Sequence, residues 1–116
     1  MTTHWHDVLA DLRGPALELR EAMGETWSGF VAMSSAATED GVIPARLKEV
    51  MALAIAVSEQ CDGCIASHAK KAARAGATPE EVAEGLAVAL SMGGGPAATY
   101  GPRAWEAYQE FRADES

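Results

Sequence analysis

Apolar residues recur at helical spacing along almost the whole chain, and no long alternating run rich in β-branched and aromatic residues appears. Between Trp5 and Met23 the apolar positions are Val8, Leu9, Leu12, Ala16, Leu17 and Leu19, with Gly14-Pro15 expected to divide the stretch into two helices. A second helix is expected from Trp27 to about Ala37, closed by Glu39-Asp40-Gly41. Pro44 suits the first turn of a third helix, where a missing N–H costs nothing. From Val50 onward that helix is apolar on all sides, the pattern of a buried central helix. A fourth helix is expected to begin near Cys61 and end at Gly76, with Lys70, Lys71 and Arg74 complementing the negative end of its dipole. Thr78-Pro79-Glu80-Glu81 is a start signal in which Thr78 caps, Pro79 opens the first turn and Glu81 reaches back. Val82, Leu86, Ala89 and Leu90 form the expected buried stripe of the fifth helix, and Gly93-Gly94-Gly95-Pro96 stops it. A last helical region runs to Phe111, kinked or divided at Gly101-Pro102, before a polar tail. The pattern predicts a single all-α domain over residues 1–116.

Composition sharpens this picture in two ways. Twenty-four of the 116 residues are alanine. Alanine favours helix and lets helices approach closely, but each contributes little buried area. A chain of this size buries only about 65% of the surface its unfolded form exposes, so self-association into a homo-oligomer is expected to supply further burial. The second change comes from charge: 9 Lys and Arg against 17 Asp and Glu leave a net of −8. That opposes binding to nucleic acid, which requires a basic surface, and docking on anionic membranes. The most apolar segment, Val50 to Val57, is far shorter than the roughly 20 residues of a membrane span. The N-terminal Met-Thr-Thr-His-Trp-His-Asp has no secretory pattern, so a cytoplasmic protein is expected.

Chemistry concentrates around the two cysteines, Cys61 and Cys64. In a reducing compartment a C-x-x-C pair points to redox chemistry or metal binding rather than a disulfide framework. At a helix start, Cys61 and Cys64 lie one turn apart, within disulfide reach, and His68 lies one turn beyond Cys64 on the same face. Free N–H groups and the positive dipole end favour a thiolate there. Cys64, with an imidazole at i+4 to take its proton, is the better nucleophile. Cys61 could capture a sulfenic acid on Cys64 as a disulfide. A carboxylate should orient His68, and spacing leaves Glu49 and Glu59 both open. For Glu49 the bland alternative is a salt bridge with Arg46.

Other readings compete. Cys61, Cys64 and His68 could ligate zinc with Glu49 or water as the fourth ligand, but no second ligand pair exists. The pair could also be inert, or act as a redox sensor altering assembly. A thioredoxin-like fold would need β-α-β alternation that is missing here. The triple glycine follows no strand and precedes no Gly-Lys-Ser, so it reads as a helix terminator and not a phosphate loop. Trp105, Tyr108 and Phe111 read as packing residues. His4 and His6, in a terminus expected to fray, read as having no catalytic role.

Taken together, Glu49, Cys61-x-x-Cys64, His68, the segment Ala-x-x-Ala-Gly-Ala-Thr-Pro-Glu-Glu-Val and the Gly-Gly-Gly-Pro stop resemble the AhpD-like family. That family is the alkylhydroperoxidase branch of the carboxymuconolactone decarboxylase superfamily. The likeness covers about residues 46–98. It implies an all-helical fold assembled as trimers or hexamers, with thiol-dependent peroxidase or disulfide reductase activity. It assigns Cys64 as peroxidatic thiol, Cys61 as resolving thiol, and His68 with Glu49 as proton relay. The implied substrates are hydrogen peroxide or organic hydroperoxides, and the implied reductant is a dithiol such as a lipoyl protein or thioredoxin. No cofactor or metal enters this reading. Better-known members carry a histidine just before the second cysteine, where this chain has Gly63. The decarboxylase branch generally lacks the cysteine pair, which makes lactone decarboxylation the weaker inheritance.

Overall fold

The computed structural model describes residues 3–115. Six α-helices are found there, and no strand: α1 (His4–Met23), α2 (Glu25–Thr38), α3 (Ala45–Glu59), α4 (Asp62–Arg74), α5 (Pro79–Gly93) and α6 (Gly95–Arg112), followed by a 3-10 turn (Ala113–Glu115). The all-α expectation holds.

Helices α3 and α4 form the centre. Each buries the same stripe, two adjacent residues and then their neighbours one and two turns on: Glu49, Val50, Leu53, Ala56 and Val57 in α3, and Ile65, Ala66, Ala69, Ala72 and Ala73 in α4. The alanines of α4 keep its surface low, so α3, α6 and α1 all pack directly against it. Helix α6 closes the other side with Ala104, Ala107, Tyr108 and Phe111. Tyr108 Oη donates to Ala77 O at 2.6 Å in the interior, which satisfies its one polar atom. Helix α5 reaches α3 through Gly85, where an added Cβ would lie 2.4 Å from Val50 Cγ1.

The expected division of α1 does not occur: the helix is continuous through Gly14-Pro15. Of the two forms expected at Gly101-Pro102, kinked or divided, division is excluded, since α6 is one helix. A proline inside a helix removes one N–H and disturbs the carbonyl four residues back. Here those carbonyls belong to Asp11 and Ala98, both exposed, where water can serve them. Pro44 stands one position earlier than expected, as the N-cap of α3 with extended backbone. The Thr78 cap and the Glu81 return bond form as expected. Gly94, at φ +62°, makes the whole connection between α5 and α6, a left-handed conformation that a residue with a Cβ resists.

Two burial expectations fail. Helix α3 is buried on one side only: Met51 and Ile55 remain exposed, Ile55 at 61%. Leu90 is 48% exposed, because the buried side of α5 is carried by Val82 and Ala89. Periodicity locates an apolar face but not what covers it.

The N-terminus is tied down, contrary to the expected fraying. Trp5 is fully buried, and its Nε1 donates to Glu106 at 2.8 Å. The backbone amides of Trp5 and His6 donate to the buried Glu110 carboxylate at 3.1 and 2.7 Å. Glu110, from α6, thereby caps the first turn of α1. The His6 ring joins Glu110 through Nδ1 and Asp114 through Nε2, the latter at 2.7 Å.

Candidate functional site

Gln60 makes the turn that builds the site. Helix α3 ends at Glu59, and Gln60 adopts a left-handed backbone (φ 55°, ψ 46°), unusual for a residue with a Cβ. Its amide and that of Cys61 return to the carbonyls of Val57 and Ala56. The chain reverses within two residues, and Cys61 becomes the N-cap of α4. Its Sγ accepts from the Cys64 amide at 3.2 Å, so a free N–H of the first turn points at sulfur. Cys61 and Cys64 form a disulfide, with Cα atoms 5.2 Å apart.

The same end of α4 is anchored from α6. Arg103 grips Asp62, the first residue of the helix, through Nε at 3.2 Å and Nη2 at 2.7 Å. Asp62 in turn holds the guanidinium more firmly in its charged form. Arg103 lies over the rings of Trp5 and Tyr100, 5.4 and 5.5 Å from their centroids. This anchor is invisible in the sequence, since 41 residues separate its partners.

Of the two carboxylates left open by spacing, Glu49 is the one that meets the imidazole: His68 Nδ1 lies 2.7 Å from Glu49 Oε2. Glu49 is nearly inaccessible to solvent, whereas Glu59 sits exposed at the end of α3. The salt bridge with Arg46 does not form, because Arg46 pairs with Glu81 across to α5. A buried carboxylate needs a partner to be tolerated, and His68 is that partner. The bond to Nδ1 leaves Nε2 available to the cavity beside it.

That cavity, about 530 Å³ and open to solvent, is lined by α1, α2 and α4. Cys64, Ser67, His68 and Lys71 line one wall at i, i+3, i+4 and i+7 of α4. Leu9 and Leu12 from α1 and Trp27, Phe30 and Val31 from α2 form the apolar remainder. Gly63 also lines it, and a Cβ there would stand 3.1 Å from Leu12 Cδ1. Glycine at this position lets α1 close over the cysteines. Ser67 and Lys71 could have been found from the helical repeat of Cys64 and His68; nothing local in the sequence points to the walls from α1 and α2.

Among the described residues no group of three or more His, Cys, Asp or Glu side chains is placed to hold a metal, and both sulfurs are engaged with each other. Nor is any helix there long and apolar enough to cross a membrane.

The profile of the Carboxymuconolactone decarboxylase family matches residues 25–107, nearly three quarters of the chain, from α2 into α6. The chain belongs to the carboxymuconolactone decarboxylase family. In three dimensions it is similar to the apo crystal structure of a carboxymuconolactone decarboxylase family protein from Legionella pneumophila, with a TM-score of 0.92 and 37% identity over 96% of this chain and 99% of that one. It is 38% identical to an uncharacterised protein of Cupriavidus necator across 97% of its own length and all of the relative. An uncharacterised protein encoded in the cox locus of Paracoccus denitrificans is 34% identical over 89% of this chain and 97% of that relative. The family profile begins after α1, so the helix that closes the cavity lies outside the matched region, although the Cupriavidus relative, matched over 97% of this chain, extends over it.

Proposed function

We propose that this member of the family is a thiol peroxidase that reduces hydroperoxides through a Cys61–Cys64 disulfide. One observation carries the reading: a cysteine paired to a second cysteine and lining a largely apolar cavity beside an imidazole that a buried carboxylate holds. The reaction follows from that arrangement. In the reduced protein His68 takes the Cys64 proton, and Glu49 stabilises the resulting imidazolium. The thiolate attacks the terminal oxygen of ROOH. The O–O bond breaks, ROH leaves with the proton from His68, and Cys64 becomes a sulfenic acid. Cys61 then attacks the Cys64 sulfur, forming the S–S bond and releasing the oxygen as water. Overall, ROOH and two thiols give ROH, water and a disulfide. A dithiol reductant restores the thiols by exchange.

The exposed apolar surface supports a homo-oligomer as the working form. No residue of α2 is buried, Phe30 and Met33 are 58% and 64% exposed, and Met51 and Ile55 add to the uncovered area. Light scattering should give a mass that is a multiple of 12.1 kDa; a monomer would count against this.

The test of the activity is hydroperoxide loss in the presence of a dithiol, with wild type compared with Cys64→Ser. The variant should be inactive, and equal rates would refute the assignment. Cys61→Ser should consume about one equivalent of peroxide and then stall. The Cys64 thiol pKa should fall below the ~8.5 of free cysteine and move up in His68→Ala.

A further inference from the structure

Between α1 and α4 the cysteine cavity continues into a second groove of about 360 Å³, with Leu9, Leu12, Ser67 and Lys71 belonging to both. Away from Cys64 its walls change character. Arg13 enters from α1, and Lys70, Lys71 and Arg74 from α4. Four of the nine cations of a chain with net charge −8 thus meet in one groove. Of the other five cations three are already engaged: Arg46 by Glu81, Arg103 by Asp62, and Lys48 by the carbonyl of Glu39, whereas Arg20 and Arg112 stand apart from the groove. Among the described residues none of the four groove cations has a hydrogen-bond or ion-pair partner.

The dipole of α4 explains part of this, since Lys71 and Arg74 occupy its last turn. It does not explain Arg13, which lies mid-way along the facing helix. Two helices that bring like charge to one groove repel, and an anion between them removes the repulsion. The groove opens into an apolar cavity that ends at a sulfur, which suits an amphipathic small molecule.

We propose that the groove is an anion subsite that holds the carboxylate of a fatty-acyl hydroperoxide while its peroxide group lies at Cys64. The inference rests on the peroxidase reading above and adds the substrate class. Lys71 and Arg74 stand seven and ten residues beyond Cys64, roughly 10 to 15 Å along the helix. An extended chain gains roughly 1.2 Å per bond, so about eight to twelve bonds separate carboxylate from peroxide.

The experiment has two arms. In the first, turnover of a fatty-acid hydroperoxide oxidised near mid-chain is compared with that of its methyl ester, in wild type and in Arg13→Gln/Arg74→Gln. Wild type should prefer the acid, and the double variant should reduce the acid-to-ester ratio of kcat/KM roughly tenfold, through KM. In the second, Cys64→Ser is titrated calorimetrically with decanoate and with decanol. Tighter binding of decanoate, weakened by added salt and by the arginine substitutions, supports the subsite without any turnover. Absence of turnover with every hydroperoxide would overturn the peroxidase reading alone. Equal handling of acid and ester together with equal binding of decanoate and decanol would overturn the subsite. A double variant that changed only the KM for an acidic protein reductant would also overturn it, and would make the groove a docking site for that reductant.

Discussion

Glu49 and His68 meet at 2.7 Å across the α3–α4 packing, a buried carboxylate against a half-buried imidazole at the edge of the cysteine cavity. The carboxylate is acceptor-only and fixes which ring nitrogen carries the proton. Glu49→Gln keeps the shape but loses the charge that stabilises an imidazolium. Peroxide turnover should fall roughly 10²-fold, the lower end of what a positioned base contributes. The melting temperature serves as the control for folding, and the Cys64 thiol pKa should rise as well. A variant with wild-type turnover and thiol pKa would remove Glu49 from the relay.

Gly63 and Leu12 set the width of the cavity. The Cβ of alanine would meet the end of a half-exposed leucine, which can rotate away, so Gly63→Ala should fold normally. Gly63→His, the residue found there in better-known AhpD-like enzymes, must push Leu12 further. It should raise KM for a bulky hydroperoxide such as cumene hydroperoxide more than for hydrogen peroxide. Leu12→Ala on the same chain should restore the difference. Equal KM changes for both peroxides would show that Leu12 does not limit access.

The terminal clamp should respond to pH. Hydrogen bonds donated to Asp114 and then to Glu110 hold the His6 imidazole above its usual pKa. Burial pushes the Glu110 carboxyl up, but the amides of His6 and Trp5 and the His6 ring together bring it below the usual carboxylate value. A raised histidine stabilises fully below its unfolded pKa, and the contribution disappears as pH rises through the folded value. A lowered carboxylate stabilises above its unfolded pKa and loses that contribution as pH falls through the folded value. Both act together between the two ordinary values. Wild type should therefore exceed His6→Gln in melting temperature by more at about pH 5.5 than at about pH 8.5. A pH-independent difference would contradict the charged clamp.

Gly85 marks the tightest approach of α5 to α3. Val50 is β-branched and stiff, so the 2.4 Å contact of an added Cβ cannot be relieved by rotating a long side chain. Gly85→Ala should cost about 1–3 kcal/mol despite the better helix propensity of alanine. Chemical denaturation measures it, and Val50→Ala combined with Gly85→Ala should recover part of the loss. No loss would mean that α5 shifts freely on α3.

Helix content and most element boundaries were legible in the chain, because caps such as Thr78-Pro79-Glu80-Glu81 and stops such as Gly93-Gly94-Gly95 act within a few residues. The prolines misled. Pro15 and Pro102 look like breaks in isolation, but both helices continue through them, with the disturbed carbonyls on exposed residues that solvent can reach. His6 looked idle for the complementary reason: its partners, Glu110 and Asp114, lie at the other end of the chain.

The sequence alone determined that α4 presents Cys64 and His68 on one face, since a helix repeat places residues four apart side by side. It also determined that Cys61 lies within a disulfide's reach of Cys64. It could not choose between Glu49 and Glu59, because side chains on separate helices meet only through the way those helices pack. Tertiary structure made that choice, and it alone brought Leu12 of α1 and Phe30 of α2 to the Cys64 cavity and Arg13 of α1 to the groove beside it. Local rules act through neighbouring backbone atoms. A cavity has walls from distant parts of the chain, and only packing decides where they meet.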